Sequence, residues 1–158
     1  DRFGHVYHLE FYNDAHIGSI LERSAALLDV DLHGDARDMI ATRARRTPRV
    51  ANRLLRRIRD YAQVRHDGIL SQDVAEGALA MLNVDAHGLD AVDRKILSTM
   101  IRSFDGGPVG LNTLAAAVAE EMDTIESIYE PYLLQIGMIE RTPRGRKVTG
   151  KARAHLDQ

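Results

Sequence analysis

The 158-residue sequence contains no cysteine, which excludes disulfides and cysteine-ligated metal sites and fits a reducing compartment. No run approaches the roughly 18 apolar residues that a membrane-spanning helix needs, and no secretory signal opens the chain. The expected location is therefore the cytoplasm. Self-contained catalytic motifs are missing too: there is no GxxxxGK(S/T) phosphate loop, no GxGxxG, no HExxH and no GxSxG. The seven histidines are scattered. His5 and His8 lie an odd number of residues apart, so a strand would send them to opposite faces, and no histidine metal site is expected. Glu120 and Glu121 are adjacent, and adjacent residues on a helix do not converge as paired carboxylates must. What remains is an ordinary composition, 44% hydrophobic and 28% charged with a formal net charge of −2. It can build a sizeable core in one or two domains.

Charge is segregated along the chain, basic in Arg43–Arg59 and Arg141–Arg153 and acidic in Glu120–Glu130. The densest stretch, RTPRVANRLLRRIRD at Arg46–Asp60, organises the rest. Thr47 can cap a helix, and Pro48 suits its first position, where the missing N–H costs nothing. Val50, Ala51, Leu54, Leu55, Ile58, Tyr61 and Ala62 project into an arc of roughly 140°. Arg49, Arg53, Arg56, Arg57 and Arg59 fill the opposite face. One side is core; the other is a cationic surface that begins at a helix N-terminus, where oriented N–H groups favour an anion. Solvent, nucleic acid and nucleotide are all open as its partner.

The remaining order is mostly helical. Val6–Tyr12 reads as a lone strand, whose backbone groups need partners from a preceding domain. Asn13 or Asp14 caps a first helix carrying Ile17, Ile20, Leu21, Ala25 and Leu28. A second starts near His33–Asp35, the arginine stretch is the third, and Ser71 caps a fourth carrying Val74, Ala78, Leu79, Met81 and Leu82. These four make a compact bundle. Asn83–Leu89 reads as a connector. A second unit opens with a helix over Asp90–Phe104, broken by Gly106-Gly107-Pro108 and followed by a short helix, Leu111–Ala119. Asp123 with Glu126 resembles a capping box for the next helix, striped by Ile125, Ile128, Tyr129, Leu133 and Leu134. Pro131 is expected to kink or divide it, and Gly137 to stop it.

Met138–Arg141 and Arg146–Thr149 read as strands joined by Thr142-Pro143-Arg144-Gly145, a type I turn pattern. Three helices and a β-hairpin with a basic tip make a winged helix. Arg141, Arg144, Arg146 and Lys147 then project toward phosphates or into a groove, or serve as solvated charges on a structural hairpin. The helix that reads the major groove in many winged helices carries Asp123, Glu126 and Glu130 here, which phosphates would repel, so the wing is expected to dominate any DNA contact.

Three segments together, DRFG-x-x-x-x-L-E-F-Y, RTPRVANRLLRR and GGPVGL…EPYL…RTPRGR, resemble the RuvB family of bacterial Holliday-junction branch-migration motors, across essentially the whole chain. The resemblance implies a mostly α fold. Residues 1–12 would be the end of an AAA+ nucleotide-binding domain, 13–84 the four-helix AAA+ small (lid) domain, and 85–158 a winged-helix DNA-binding domain. The preceding domain would hold the phosphate loop and the magnesium-binding acidic motif. Arg2 matches the arginine finger directed at a neighbouring subunit's ATP, Tyr12 a residue beside the nucleotide, and Arg49 the second sensor arginine, which reaches the γ-phosphate. Arg141 and Arg146 match DNA-contacting arginines, with Arg144 a further candidate at the turn. Relatives can carry an arginine where this chain has Met122, so no DNA role is carried there. The family's proteins are homohexameric ATP hydrolases on four-way junction and duplex DNA, acting with RuvA, and with RuvC in resolution, in recombination and repair. Two readings compete: a stand-alone winged-helix regulator with a helical dimerisation domain, and a helical adaptor whose arginine face binds an acidic protein.

Overall fold

The computed structural model describes residues 12–65 and 67–157, which fall into two compact units divided between Gly88 and Leu89. Arg2 and all of the Val6–Tyr12 segment except Tyr12 lie outside the described residues.

The first unit is the expected helical bundle. Helix α1 (Asp14–Leu27) starts at Asn13, whose side chain accepts from the His16 N–H at 2.8 Å and so satisfies one of the orphan donors of the first turn. Helix α2 (Gly34–Arg43) and α3 (Pro48–Arg65) follow. Thr47 performs the expected cap on α3, its Oγ1 accepting from the Val50 N–H at 3.3 Å. Ser71 does the same for α4 (Gln72–Met81) through the Val74 N–H. Ile17, Leu21, Ile40, Leu55, Ile58, Leu70 and Leu79 are fully enclosed in a single core. The face of α3 that the periodicity assigns to the core is buried at Ala51, Leu54, Leu55, Ile58 and Ala62, with Val50 and Tyr61 at its margin.

Two details depart from the expected bundle. Met81 is largely exposed, because it ends α4 and Leu82 turns back to the core in its place. A two-residue parallel pair joins β1 (Asp31–Leu32) to β2 (Ile69–Leu70), too short for any alternating pattern to announce. The connector packs with this unit as far as Gly88, Val84 lying against its core, while Leu89 is buried in the second core. Gly88 (φ +75°) passes so close to Arg43 that a Cβ would stand 2.9 Å from the Arg43 carbonyl oxygen.

The second unit is a winged helix. Helix α5 (Ala91–Phe104) opens with a complete capping box: Asp90 accepts from the Asp93 N–H, and Asp93 accepts from the Asp90 N–H, both at 2.9 Å. Helix α6 (Leu111–Val118) comes next, ended by Ala119 in a left-handed conformation. The box expected at Asp123 and Glu126 is not formed. Helix α7 (Met122–Thr124) begins two residues earlier, behind Glu121, which makes no side-chain cap bond.

After α7 the chain winds into a π-helical segment, Ile125–Tyr129, and returns to α-helix in α8 (Glu130–Gln135). Pro131 has no N–H to give the carbonyl four residues back, and its ring crowds that carbonyl. The wider turn, in which the Glu130 N–H reaches the Ile125 carbonyl, accommodates it by inserting one extra residue. The expected stripe therefore slips. Ile128 is 59% exposed, while Glu130 enters the buried side beside Tyr132 and Leu133. Strands β3 (Ile139–Thr142) and β4 (Gly145–Val148) pair antiparallel, with Arg141 opposite Arg146 and Thr142 opposite Gly145. Val109 adds a bridge to Arg146 on the other edge of β4. A closing helix, α9 (Gly150–Leu156), is capped by Thr149 and buries Ala152; so short a helix carries too little periodicity to read.

Leu55→Ala removes a fully buried side chain from the first core and should cost about 2–5 kcal/mol. Urea unfolding followed by circular dichroism measures it; a loss below about 1 kcal/mol would contradict the central place of α3.

Candidate functional site

Two places gather the candidate residues, one in each unit. In the first, Arg45 and Arg46 both take φ of 55°, a left-handed conformation that swings the chain from α2 into α3. The Tyr12 N–H donates to the Arg46 carbonyl at 3.1 Å, and the Tyr12 ring meets His16 edge-on with centroids 6.3 Å apart. Tyr12 and Arg49 thus stand at the same end of the bundle, at the N-terminus of α3. Both are exposed.

From Arg49 a groove of about 460 Å³ runs along the helix, lined by Arg49, Asn52, Arg53, Arg56, Arg57 and Arg59 and closed by Asp60. Arg59 is bonded to Asp60 through Nε and Nη2 at 3.3 and 3.2 Å. Asn52 accepts from the Ser24 hydroxyl at 2.6 Å, tying α1 to the groove wall. The arginines give this surface a cationic character that favours anions, most at its N-terminal end, where the helix dipole adds to Arg49.

The second place is the wing. Thr142-Pro143-Arg144-Gly145 makes the turn, with the Thr142 Oγ1 accepting from the Arg144 N–H at 3.2 Å and donating to the Gly145 carbonyl at 3.0 Å. Arg144 is exposed at the tip. Gly145 takes φ of +138°, and a Cβ there would lie 2.4 Å from the Val109 carbonyl oxygen. That oxygen receives the Arg146 N–H at 2.8 Å, so the glycine allows three strand segments to close up.

Residues opposite one another on paired strands share a face. Arg141 and Arg146 accordingly lie side by side, on the face toward α8. Between them sits Glu130, 1% exposed. Its Oε1 accepts from Arg141 Nε at 2.8 Å and lies 2.6 Å from Arg141 Nη2. Arg146 Nε donates to both oxygens at 3.1 Å. Glu126 stands 3.8 Å from Arg146 Nη2 at the rim. Arg141 keeps 53% of its side chain exposed, Arg146 only 14%. On the opposite face Glu140 and Lys147 pair at 4.0 Å.

Two expectations change here. Glu130 is not an exposed charge that faces a phosphate backbone; the π turn places it inside, as the counter-charge of the wing arginines. Arg146 is correspondingly a mostly enclosed residue, whereas Arg141 and Arg144 face outward. Nothing in the composition marks Glu130, but Pro131 directly after it signals that the helical phase cannot be extrapolated through this point. Met122 is exposed. Arg2 lies outside the described residues.

Each of the two units also matches known proteins. A family model described as the RuvB AAA lid domain matches residues 12–85, and one described as the RuvB C-terminal winged helix domain matches residues 86–157. The chain is 55% identical over 156 residues to the Holliday junction branch migration complex subunit RuvB of Dehalococcoides mccartyi, and 53% identical to that of Mycobacterium avium. These alignments cover 99% of this chain but 45% and 44% of the two relatives, so the chain spans a little under half their length. A solved structure of the Thermotoga maritima RuvB Holliday junction branch migration motor superposes with a TM-score of 0.94 at 48% identity, covering 99% of this chain and 52% of that one.

Gly145→Ala should destabilise the second unit by on the order of 2 kcal/mol, because both the positive φ and the Val109 carbonyl oppose a Cβ. Thermal unfolding measures the change; an unaltered midpoint would contradict the close packing at the base of the wing.

Proposed function

The chain belongs to the RuvB family, and we propose that it is the C-terminal part of an ATP-driven DNA motor that moves Holliday junctions. The observation that carries this reading is the combination, in one chain, of an arginine-fronted lid helix with a winged helix whose basic hairpin is built to meet phosphates. The stand-alone regulator is not favoured, since RuvB domain models match residues 12–85 and 86–157.

In this reading the two units divide the work. Arg49 reaches the γ-phosphate of ATP from the lid, with Tyr12 beside the nucleotide. A guanidinium there senses whether the phosphate is present and turns that into lid rotation. Arg2 acts in trans as an arginine finger, stabilising charge on the γ-phosphate in a neighbouring subunit's transition state. Two positive charges from adjacent subunits on one nucleotide make each hydrolysis event felt next door. That coupling requires a ring, here a homohexamer.

Among the described residues no group of three or more His, Cys, Asp or Glu could hold a metal ion, and magnesium in nucleotide sites is held by one or two carboxylates together with the phosphates. It is assigned, with the phosphate loop, to a preceding nucleotide-binding domain. RuvA at the four-way junction, and RuvC during resolution, are the proposed partners, and the cytoplasm the location. Among the described residues no helix is long and apolar enough to cross a membrane.

The wing supplies the DNA contact through Arg141 and Arg146, with Arg144 at the tip. A motor must pass every sequence, and phosphate contacts carry no sequence information. Arg146→Ala in the full-length protein should therefore weaken binding to duplexes of unrelated sequence about equally, as read by fluorescence anisotropy. Unchanged affinity at low salt would sink the wing assignment. The 158-residue chain by itself should hydrolyse no ATP even at high concentration, since it carries no phosphate loop. Measurable phosphate release by the purified chain would refute the division of labour.

A further inference from the structure

We infer that Glu130 is a positioning residue for DNA binding: its buried carboxylate aims the wing arginines so that their remaining N–H groups meet the phosphate backbone. The inference rests on the wing reading given above and adds to it the residue that makes the wing competent.

The geometry is specific. Arg141 spends Nε and Nη2 on one carboxylate oxygen of Glu130, which fixes the guanidinium plane while half of the side chain stays exposed. A guanidinium held in this way has lost its rotamer freedom before DNA arrives, so less is lost per hydrogen bond on binding. Arg146 is held through Nε by both oxygens, and its backbone is pinned to Val109 by two bonds of 2.8 Å. Without Glu130, two like charges would stand directly opposite on adjacent strands and repel. The carboxylate lets both stay on one face. It reaches them only because the π turn at Ile125–Tyr129 carries Glu130 to the buried side.

The sign of the effect separates this proposal from a simple charge balance. An acid near a DNA-binding surface normally weakens binding, so neutralising it should tighten the complex. A positioning acid does the reverse. In Glu130→Gln the charge is lost and one oxygen becomes an amide NH2: with the amide oxygen kept where Arg141 donates, the NH2 confronts the Arg146 Nε–H, and a neutral oxygen holds both guanidinium groups more weakly than a carboxylate does. Glu130→Asp keeps the charge and withdraws it by one methylene.

The experiment uses the full-length protein and fluorescently labelled duplexes of two unrelated sequences, at several salt concentrations and well below the melting temperature of every variant. Arg141→Ala is measured alongside. Both Glu130 variants should lose about tenfold in affinity at low salt, with a salt slope shallower by about one for each phosphate that the wing no longer engages. A merely structural role would change the folded fraction but not that slope. If Glu130→Gln does not fold, Glu130→Asp decides alone. Unchanged or tighter binding by a folded variant, with Arg141→Ala weakened, overturns the inference and leaves the wing reading standing. If Arg141→Ala itself binds normally, the wing reading fails and the inference with it.

Discussion

A single carboxylate with 1% of its surface exposed lies between two guanidinium groups that face each other across a two-stranded ribbon. The placement of the Arg141 and Arg146 guanidinium groups follows from this contact. Burying a charge is tolerable only when it is paired and hydrogen-bonded, and breaking such a pair typically costs about 3–5 kcal/mol. Glu130 meets the requirement through Arg141 Nε, Arg141 Nη2 and Arg146 Nε. Its location traces back to a covalent fact. Pro131 cannot donate a backbone hydrogen bond, the helix widens ahead of it, and the residue just before the proline turns inward. One imino acid thereby sets the phase of a helix, and the phase sets where the wing's counter-charge sits.

The first unit uses a different device. Helix α3 places its aliphatic residues in the core and its arginines in an open groove, so packing on one side fixes the orientation of charge on the other. Its entry is held by the Thr47 cap and by two left-handed arginines, and the chain at Tyr12 is bonded to that same turn. In the proposed motor, this end of α3 addresses a nucleotide while the wing addresses DNA. Arg53, Arg56 and Arg57 extend the cationic surface beyond the nucleotide-sensing position without taking a ligand role in that scheme.

Much of this is legible in the sequence, and the exceptions have physical causes. The α3 arc, the Asn13, Thr47 and Ser71 caps, the Gly106-Gly107 break and the hairpin turn are all readable because helical period and turn chemistry are local properties. Ile128 and Glu130 depart from the expected stripe because a period of 3.6 residues does not carry through a π turn. Asp123 and Glu126 have the spacing of a capping box, yet the helix starts at Met122, and the true box, Asp90 with Asp93, uses an aspartate at its third helical position. The β1–β2 pair is held by tertiary contact between two dipeptides, and no local pattern encodes that. Among the candidate site residues, Arg49 and Arg144 stand exposed as their positions suggest. The enclosure of Arg146 depends on Glu130 and Val109, residues distant in sequence.

In the proposed motor the wing grips the DNA backbone without reading bases. The most direct test is the salt dependence of affinity of the unaltered full-length protein for two duplexes of unrelated sequence. The account predicts affinities within a few-fold of each other and parallel slopes of log affinity against log salt, as expected for phosphate contacts and counterion release. A preference of about a thousandfold or more for one duplex, in the range of sequence-specific binders, would contradict it.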